Sequence, residues 1–397
     1  MRTRFGYTFI LLIFLSIPFL HGCAAQSNTS IKGKVQLVPG WKPKMYLIRP
    51  QHFQEIAADY LGQVIDSAAI NEDGNFSFKP IPNINDKTLL ILVIQPEGSR
   101  YANHLIDDDP LKANYMPVIY TPAESIDITA DVNSLQSSFS IKMTSKENLN
   151  LLSLRDIRQH TFEKYVGVSR ELEEDSLLIE KEKAFSDYIA AMMAFADSTT
   201  VSDAAMIAIR WISPANDYER IPEFIYSQSQ KWSALYPDNV FVKELYAAAR
   251  KDKLPLMTGD MMPDVLLPLV TRDTVRLTTL LTHKLTLVDI WASWCAPCRK
   301  ETREELLPLW NQYHDNGFQI VGYSIDANEG PWKKAIMKDG SKWIHASHLT
   351  GDATPFMDAL RISTIPANYL LDANGKVLAR NLHGMELSNF VERYLHR

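Results

Sequence analysis

Two cysteines three residues apart, Cys295 and Cys298, stand where an apolar run gives way to a helical one. That junction limits the fold more than any other feature of the 397-residue chain. The run Leu285-Thr286-Leu287-Val288-Asp289-Ile290-Trp291 is apolar enough for a buried strand, and Arg299 to Tyr313 reads as a helix. Strand, CxxC and helix in that order put the first thiol at a helix N-terminus. Free backbone N–H groups and the positive end of the helix dipole favour a thiolate there. Cys295 is therefore expected at that terminus with access to solvent, as the nucleophile toward a substrate disulfide. Cys298, one turn inside and better shielded, is expected to resolve the mixed disulfide. Pro297 suits the first turn, where its missing N–H costs nothing. The redox-active pair supplies the chemistry, so no cofactor is called for. A zinc site would need four ligands, and there is no second CxxC. His345 and His348 offer two nitrogens, but nothing in the sequence brings them to the cysteines. A purely structural bridge would gain little by closing a four-residue loop.

The surroundings of the motif read as an α/β domain over residues 258–397, starting near Gly259-Asp260-Met261-Met262-Pro263-Asp264. Phe318 to Ser324 is a second strand and Trp332 to Met337 a short helix. Asn368 to Leu371 and Lys376 to Ala379 form a hairpin around Asp372-Ala373-Asn374-Gly375. Leu387 to Leu395 closes with a helix. Residues 31–140 read as β-rich, with short strands at Ile31–Val38, Met45–Ile48, Val64–Ala68, Phe76–Phe78, Leu89–Ile94 and Ser125–Ile128, a spacing that suggests a sandwich. Residues 145–255 read as helical: Phe185, Tyr188, Ile189, Met192 and Phe195 line one face, and Ser213-Pro214 and Ile221-Pro222 break the pattern. The acidic cluster Glu171, Glu173, Glu174 and Asp175 reads as a solvated face.

Residues 1–22 carry Arg2 and Arg4, then an apolar stretch from Gly6 to Leu20, which is too short to span a bilayer. This is the pattern of a secretory signal. Leu20-His21-Gly22-Cys23 resembles a bacterial lipobox, with His21 in place of the usual small residue. That resemblance implies a lipid on Cys23, with residues 23–30 as lipidated cysteine and linker. Cys23-Ala24-Ala25 also fits ordinary cleavage after Ala25. Either route takes the mature chain out of the cytoplasm, to the periplasm or cell envelope.

Trp291-Ala292-Ser293-Trp294-Cys295-Ala296-Pro297-Cys298-Arg299-Lys300-Glu301 resembles the active site of thioredoxin-like thiol–disulfide oxidoreductases of the TlpA/ResA type. The resemblance covers about a third of the chain and implies a thioredoxin fold with a cycling Cys295–Cys298 couple. It also implies a cis bond before Pro366 in Thr364-Ile365-Pro366, with the backbone of Ile365 pairing with the substrate chain and Trp294 beside it. Residues 31–140 resemble the N-terminal β-domain that precedes such domains in Gram-negative lipoproteins, through Ile31-x-Gly33, Ile65-Asp66-Ser67 and Asp73-Gly74-x-Phe76-x-Phe78. The hairpin before the sheet usually carries a glycine. Here Thr271 to Leu277 has none.

Asp289 shares a strand face with Leu285, Leu287 and Trp291 by period-two counting. Burial there would raise its pKa and suit a general base for the Cys298 thiol. The alternative is a strand-end carboxylate reaching solvent. Thioredoxins carry Asp at this place, whereas TlpA-type relatives often carry Asn. Glu301 lies three residues beyond Cys298. ResA-type proteins have an active-site Glu there, implicated in proton handling; the alternative is a first-turn charge complementing the helix dipole.

A net charge of −6 gives no basic footprint for nucleic acid. Ala296-Pro297 puts neither charge nor a hydrogen-bonding side chain between the cysteines, which favours a reducing couple. The expected partners are disulfide-containing client proteins, a transmembrane thiol electron donor and the membrane through a lipid anchor. Two other readings stay open. In one, residues 31–255 are a partner-binding module with a regulatory redox domain. In the other, the chain is a peroxiredoxin-like antioxidant enzyme, although CxxC stands where a peroxidatic loop would be.

Overall fold

The computed structural model describes residues 31–396 except 82, 83, 85, 123, 143, 144, 168–177 and 216. The leader, Cys23 and the acidic cluster from Glu171 to Asp175 lie outside those residues.

Strands β1 (Ile31–Gln36), β2 (Trp41–Arg49), β3 (Gln63–Ala69), β4 (Asn75–Ser77), β5 (Thr88–Pro96), β6 (Tyr115–Tyr120), β7 (Ile126–Asp131) and β8 (Ser140–Lys142) form two four-stranded sheets. Their orders are β4-β1-β7-β8 and β3-β2-β5-β6. β1 alternates buried and exposed residues, as a strand with one face to the core must. β5 and β6 are instead buried on both faces. β6 escapes the sequence reading because Pro117 interrupts it. It is an edge strand, the place where a proline costs no ladder hydrogen bond.

Helix α1 (Leu135–Ser138) lies between β7 and β8; α2 (Lys146–Thr161), α3 (Leu178–Ser198), α4 (Ser202–Ile212), α5 (Pro222–Leu235) and α6 (Val240–Ala248) follow. The Asn148 side chain on α2 covers the β6 edge: it accepts the Ile119 N–H and donates to the Ile119 carbonyl, both at 2.8 Å. The buried Arg158 guanidinium lies 4.5 Å from the Trp211 ring centre and donates to Asp107 at 2.9 Å. Sheets and helices share one hydrophobic cluster that runs from Ile31 to Leu254. Of the helical face read from sequence, Tyr188, Ile189, Met192 and Phe195 are buried. Phe185 is exposed, with its ring 5.9 Å from that of Tyr188.

The C-terminal domain contains β9 (Leu266–Pro268), β10 (Thr274–Arg276), β11 (Leu285–Trp291), α7 (Ala296–Glu301), α8 (Leu307–Tyr313), β12 (Phe318–Ser324), α9 (Glu329–Asp339), β13 (Ile344–Ala346), α10 (Pro355–Leu360), β14 (Ala367–Asp372), β15 (Val377–Arg380) and α11 (Gly384–Leu395). The main sheet has the order β13-β12-β11-β14-β15. Central β11 runs parallel to β12 and antiparallel to β14. One helix was expected over Arg299 to Tyr313. A π-helical turn, Thr302–Leu306, separates α7 from α8. Pro308 has no N–H for the α-helical ladder, and the wider turn accommodates it. The glycine-free hairpin is closed by Arg272 in the left-handed region, at φ +77°.

Candidate active site

β11 delivers the chain to the motif. Cys295 is the N-cap of α7, and its Sγ accepts the Cys298 N–H at 3.2 Å. The Arg299 N–H reaches the Cys295 carbonyl at 3.0 Å, so the helical ladder starts at the first cysteine. The two sulfurs form a disulfide, with Cα atoms 5.3 Å apart. The solvent access expected for Cys295 is not found in this oxidised form: Cys295 is 5% exposed and Cys298 3%. The exposed group is Trp294, at 65%. Both sulfurs thus lie against the core, and the indole of the preceding residue stands in water.

The turn before the cysteines is braced from two sides. Asp326, just past β12, accepts the Ser293 N–H at 2.8 Å and its hydroxyl at 2.6 Å. Arg299 donates to the Ser293 carbonyl at 3.0 Å and is itself held by Asp339.

Asp289 is buried in the middle of the sheet. Burial pushes its carboxyl well above the usual carboxylate range, the nearby Glu301 charge pushes it further, and His383 pulls it back. Leu285 and Leu287 pack in one cluster, whereas Trp291 joins the cluster on the other side with Cys295. Period-two counting therefore fails for Trp291. Glu301 is buried, with its Oε1 2.7 Å from His383 Nδ1. It is the last residue of α7, so it is not in the first turn where a charge would complement the dipole. Glu305, one turn on, accepts the Gly384 N–H. Its carboxyl is raised, by burial first and then by the Glu301 charge. Sequence reasoning missed His383, Glu305, Asp326 and Asp339. Each comes from an element remote in sequence from the motif or from a position with no motif of its own. His345 and His348 are engaged elsewhere: His345 packs between Trp291 and Trp343, and His348 Nδ1 lies 2.6 Å from the Tyr323 hydroxyl.

The Ile365–Pro366 bond is cis. Ala367 pairs with Ile290, so Pro366 sits at the end of β11 that leads to the cysteines. Ile365 packs against the cluster that contains Cys295 and Cys298.

A five-stranded sheet of this order, a CxxC heading the helix after the central strand, and a cis-proline at the same end define a thioredoxin-like domain. The redoxin family model matches residues 257–393. Thiol-disulfide oxidoreductase ResA of Bacillus cereus is 24% identical over 110 residues, which are 28% of this chain and 61% of that protein. ResA of Oceanobacillus iheyensis is 25% identical over 122 residues, 30% of this chain and 62% of that protein. The chain spans about three fifths of the length of these curated relatives. Among solved structures, the thioredoxin domain of a thiol-disulfide oxidoreductase from Bacteroides vulgatus is 36% identical. That match covers 35% of this chain and 99% of that one, with a TM-score of 0.33. The C-terminal domain is thioredoxin-like, matches the redoxin family over residues 257–393 and is similar to ResA-type thiol-disulfide oxidoreductases; a multi-strand sheet region and a helical region precede it.

Proposed function

We propose that this chain is a thiol–disulfide oxidoreductase that reduces protein disulfides outside the cytoplasm, held to the membrane by a lipid on Cys23. The observation that carries the reading is the Cys295–Cys298 pair at the head of α7, with Cys295 Sγ taking a backbone N–H as a thiolate would. In the reduced form the Cys295 thiolate attacks a client disulfide. A mixed disulfide forms and one client sulfur leaves as a thiolate, which takes a proton from water. Asp289 takes the proton of Cys298, whose thiolate then attacks Cys295 Sγ and releases the second client thiol. Two electrons pass to the client, and the protein is left with the Cys295–Cys298 bond. A transmembrane thiol donor returns the electrons. Glu301 and His383 set the charge beside Asp289, while Trp294 and the backbone of Ile365 receive the client chain. No helix among the described residues is long and apolar enough to cross a membrane. In this reading the anchor is the lipid.

Cys295→Ser should abolish insulin-disulfide reduction, and Cys298→Ser should accumulate a client adduct on Cys295, visible on a non-reducing gel. Equilibration with glutathione or dithiothreitol gives the direction. A potential near about −270 mV fits the reductase, and one near about −120 mV would make the protein an oxidant of its clients instead.

A further inference from the structure

The loop that carries Ile365 is held by the helical region. The turn leading into α5 is internally braced: Ser213 Oγ donates to the Asp217 carbonyl at 2.7 Å, and the Glu219 N–H donates to the Asp217 carboxylate at 3.0 Å. From this turn Glu219 reaches residues 144 and 145 positions later. Its Oε2 accepts the Ser363 N–H at 2.9 Å and hydroxyl at 2.8 Å. Its Oε1 accepts the Thr364 N–H at 3.0 Å and hydroxyl at 2.6 Å. The next residue, Arg220, donates to the Pro366 carbonyl at 3.2 Å. Arg380 on β15 closes the arrangement by donating to the Glu219 carbonyl at 2.7 Å. The carboxylate is buried. Burial alone would raise its pKa, yet the donors of Ser363 and Thr364 outweigh that and hold it below the usual value.

The held residues are Ser363, Thr364 and Pro366, which flank Ile365 on both sides. Pairing an extended client backbone with Ile365 needs a donor and an acceptor fixed in strand geometry. The 361–366 segment has no helical or strand ladder of its own to fix them. A loop ordered before binding spares the complex that ordering cost.

We propose that Glu219 and Arg220 are positioning residues for substrate: they hold the Ser363–Pro366 loop in the form that pairs with an extended, disulfide-bearing polypeptide. The helical region thus completes the protein-substrate site of the redox domain. The inference rests on the proposed thiol–disulfide exchange and on Ile365 as the pairing residue.

The test uses the full mature chain with insulin as protein substrate and dithiobis(nitrobenzoate) as a small disulfide that has no backbone to pair. Glu219→Gln turns an NH2 group toward the donors of Ser363 or Thr364. The KM for insulin should rise about tenfold with kcat little changed, and the insulin-to-small-disulfide rate ratio should fall about tenfold. Glu219→Asp, which keeps the charge and both acceptors, should recover part of the loss. The potential of the cysteine couple should not move. An unchanged insulin KM in Glu219→Gln overturns the proposal. So does an equal loss on both substrates together with a shifted potential, because that is the mark of a damaged domain. If Glu219→Gln does not fold, Arg220→Met removes the donor to Pro366 and carries the same KM test, with an unchanged KM again overturning the proposal. A wild-type chain that reduces neither substrate overturns the proposed function itself.

Discussion

Replacing Asp339 with Asn tests how the cysteine-bearing turn is held. Asp339 ends α9, and its side chain is 1% exposed. It takes the Arg299 Nε–H on Oδ2. Its Oδ1 takes Arg299 Nη2 at 2.7 Å and Arg303 Nη1 at 3.1 Å. Arg299 follows Cys298 directly and also holds the Ser293 carbonyl, so one carboxylate anchors a guanidinium that spans both sides of the motif. Asn keeps the shape and one acceptor, loses the charge, and turns an NH2 group toward Arg299. Arg303 is 47% exposed, so its share is about 0–1 kcal/mol. Arg299 is 16% exposed, and stripping the partner from a buried pair costs about 3–5 kcal/mol. Residual exposure favours the lower end, giving a loss of about 3 kcal/mol out of a total stability of about 5–15 kcal/mol. Urea unfolding followed by tryptophan fluorescence reads it out. With a slope of about 2 kcal/mol/M the midpoint should fall by about 1.5 M. Arg299→Met combined with Asp339→Asn should recover part of the loss, because no unpaired buried charge remains. A single-variant loss under about 1 kcal/mol at unchanged slope would refute the argument and show that water screens this pair as it does a surface bridge.

Asp289→Asn should slow insulin reduction by about 10²-fold or more at neutral pH through loss of the base, as measured by steady-state rates. The raised carboxyl also fixes a sign. The folded state keeps the Asp289 proton to higher pH than the unfolded chain, so its stabilising contribution is complete below the unfolded pKa and lost as pH rises through the folded one. Relative to wild type, Asp289→Asn should therefore gain stability with rising pH through that window, by up to about 1.4 kcal/mol per pH unit in denaturant titrations. His383→Gln removes the charge that pulls the Asp289 carboxyl down, so the acid limb of the kcat/KM profile for insulin should move to higher pH. Gly74 has φ +84°, and a Cβ there would stand 2.2 Å from the Val35 carbonyl. Gly74→Ala should cost at least about 1 kcal/mol in thermal unfolding, because both the backbone conformation and the contact oppose it.

What the sequence makes legible is what burial writes locally. The apolar runs Leu285–Trp291 and Phe318–Ser324 are buried along their whole length, and their ends as strands coincide with those read from the residues. The cysteine pair, its place at a helix head and the alternating β1 are local in the same sense. β13 passes unnoticed because three residues carry no period. α10 is six residues long, and its signal was present in the Thr354 cap and Pro355. Phe185 fits the helical face by spacing yet stays outside, since spacing assigns an angle on the helix and says nothing of how far the neighbouring helices extend. Burial of Asp289 follows from its neighbours. Glu301 had two readings from sequence, and neither shows the partner that the fold brings to it, His383, from 82 residues away.

The junction between the helical region and the redox domain lies beyond any local signal, and its chemistry explains why. The hydrophobic cluster of residues 31–254 ends where the clusters of the C-terminal domain begin, so among the described residues the two bodies share no apolar core. They meet through directed polar contacts: Glu219 with Ser363 and Thr364, Arg220 with Pro366, Arg361 with the Leu254 carbonyl, and Glu223 with the Thr258 N–H. In the sequence, Asp217-Tyr218-Glu219-Arg220 is an ordinary polar turn after a Ser-Pro break, and polar turns are normally solvated. An apolar junction would have announced itself as a patch and would tolerate sliding. A carboxylate that takes four donors from two successive residues tolerates very little. The element least visible to sequence reasoning is thus the one that fixes, to hydrogen-bond accuracy, the loop that carries the cis-proline.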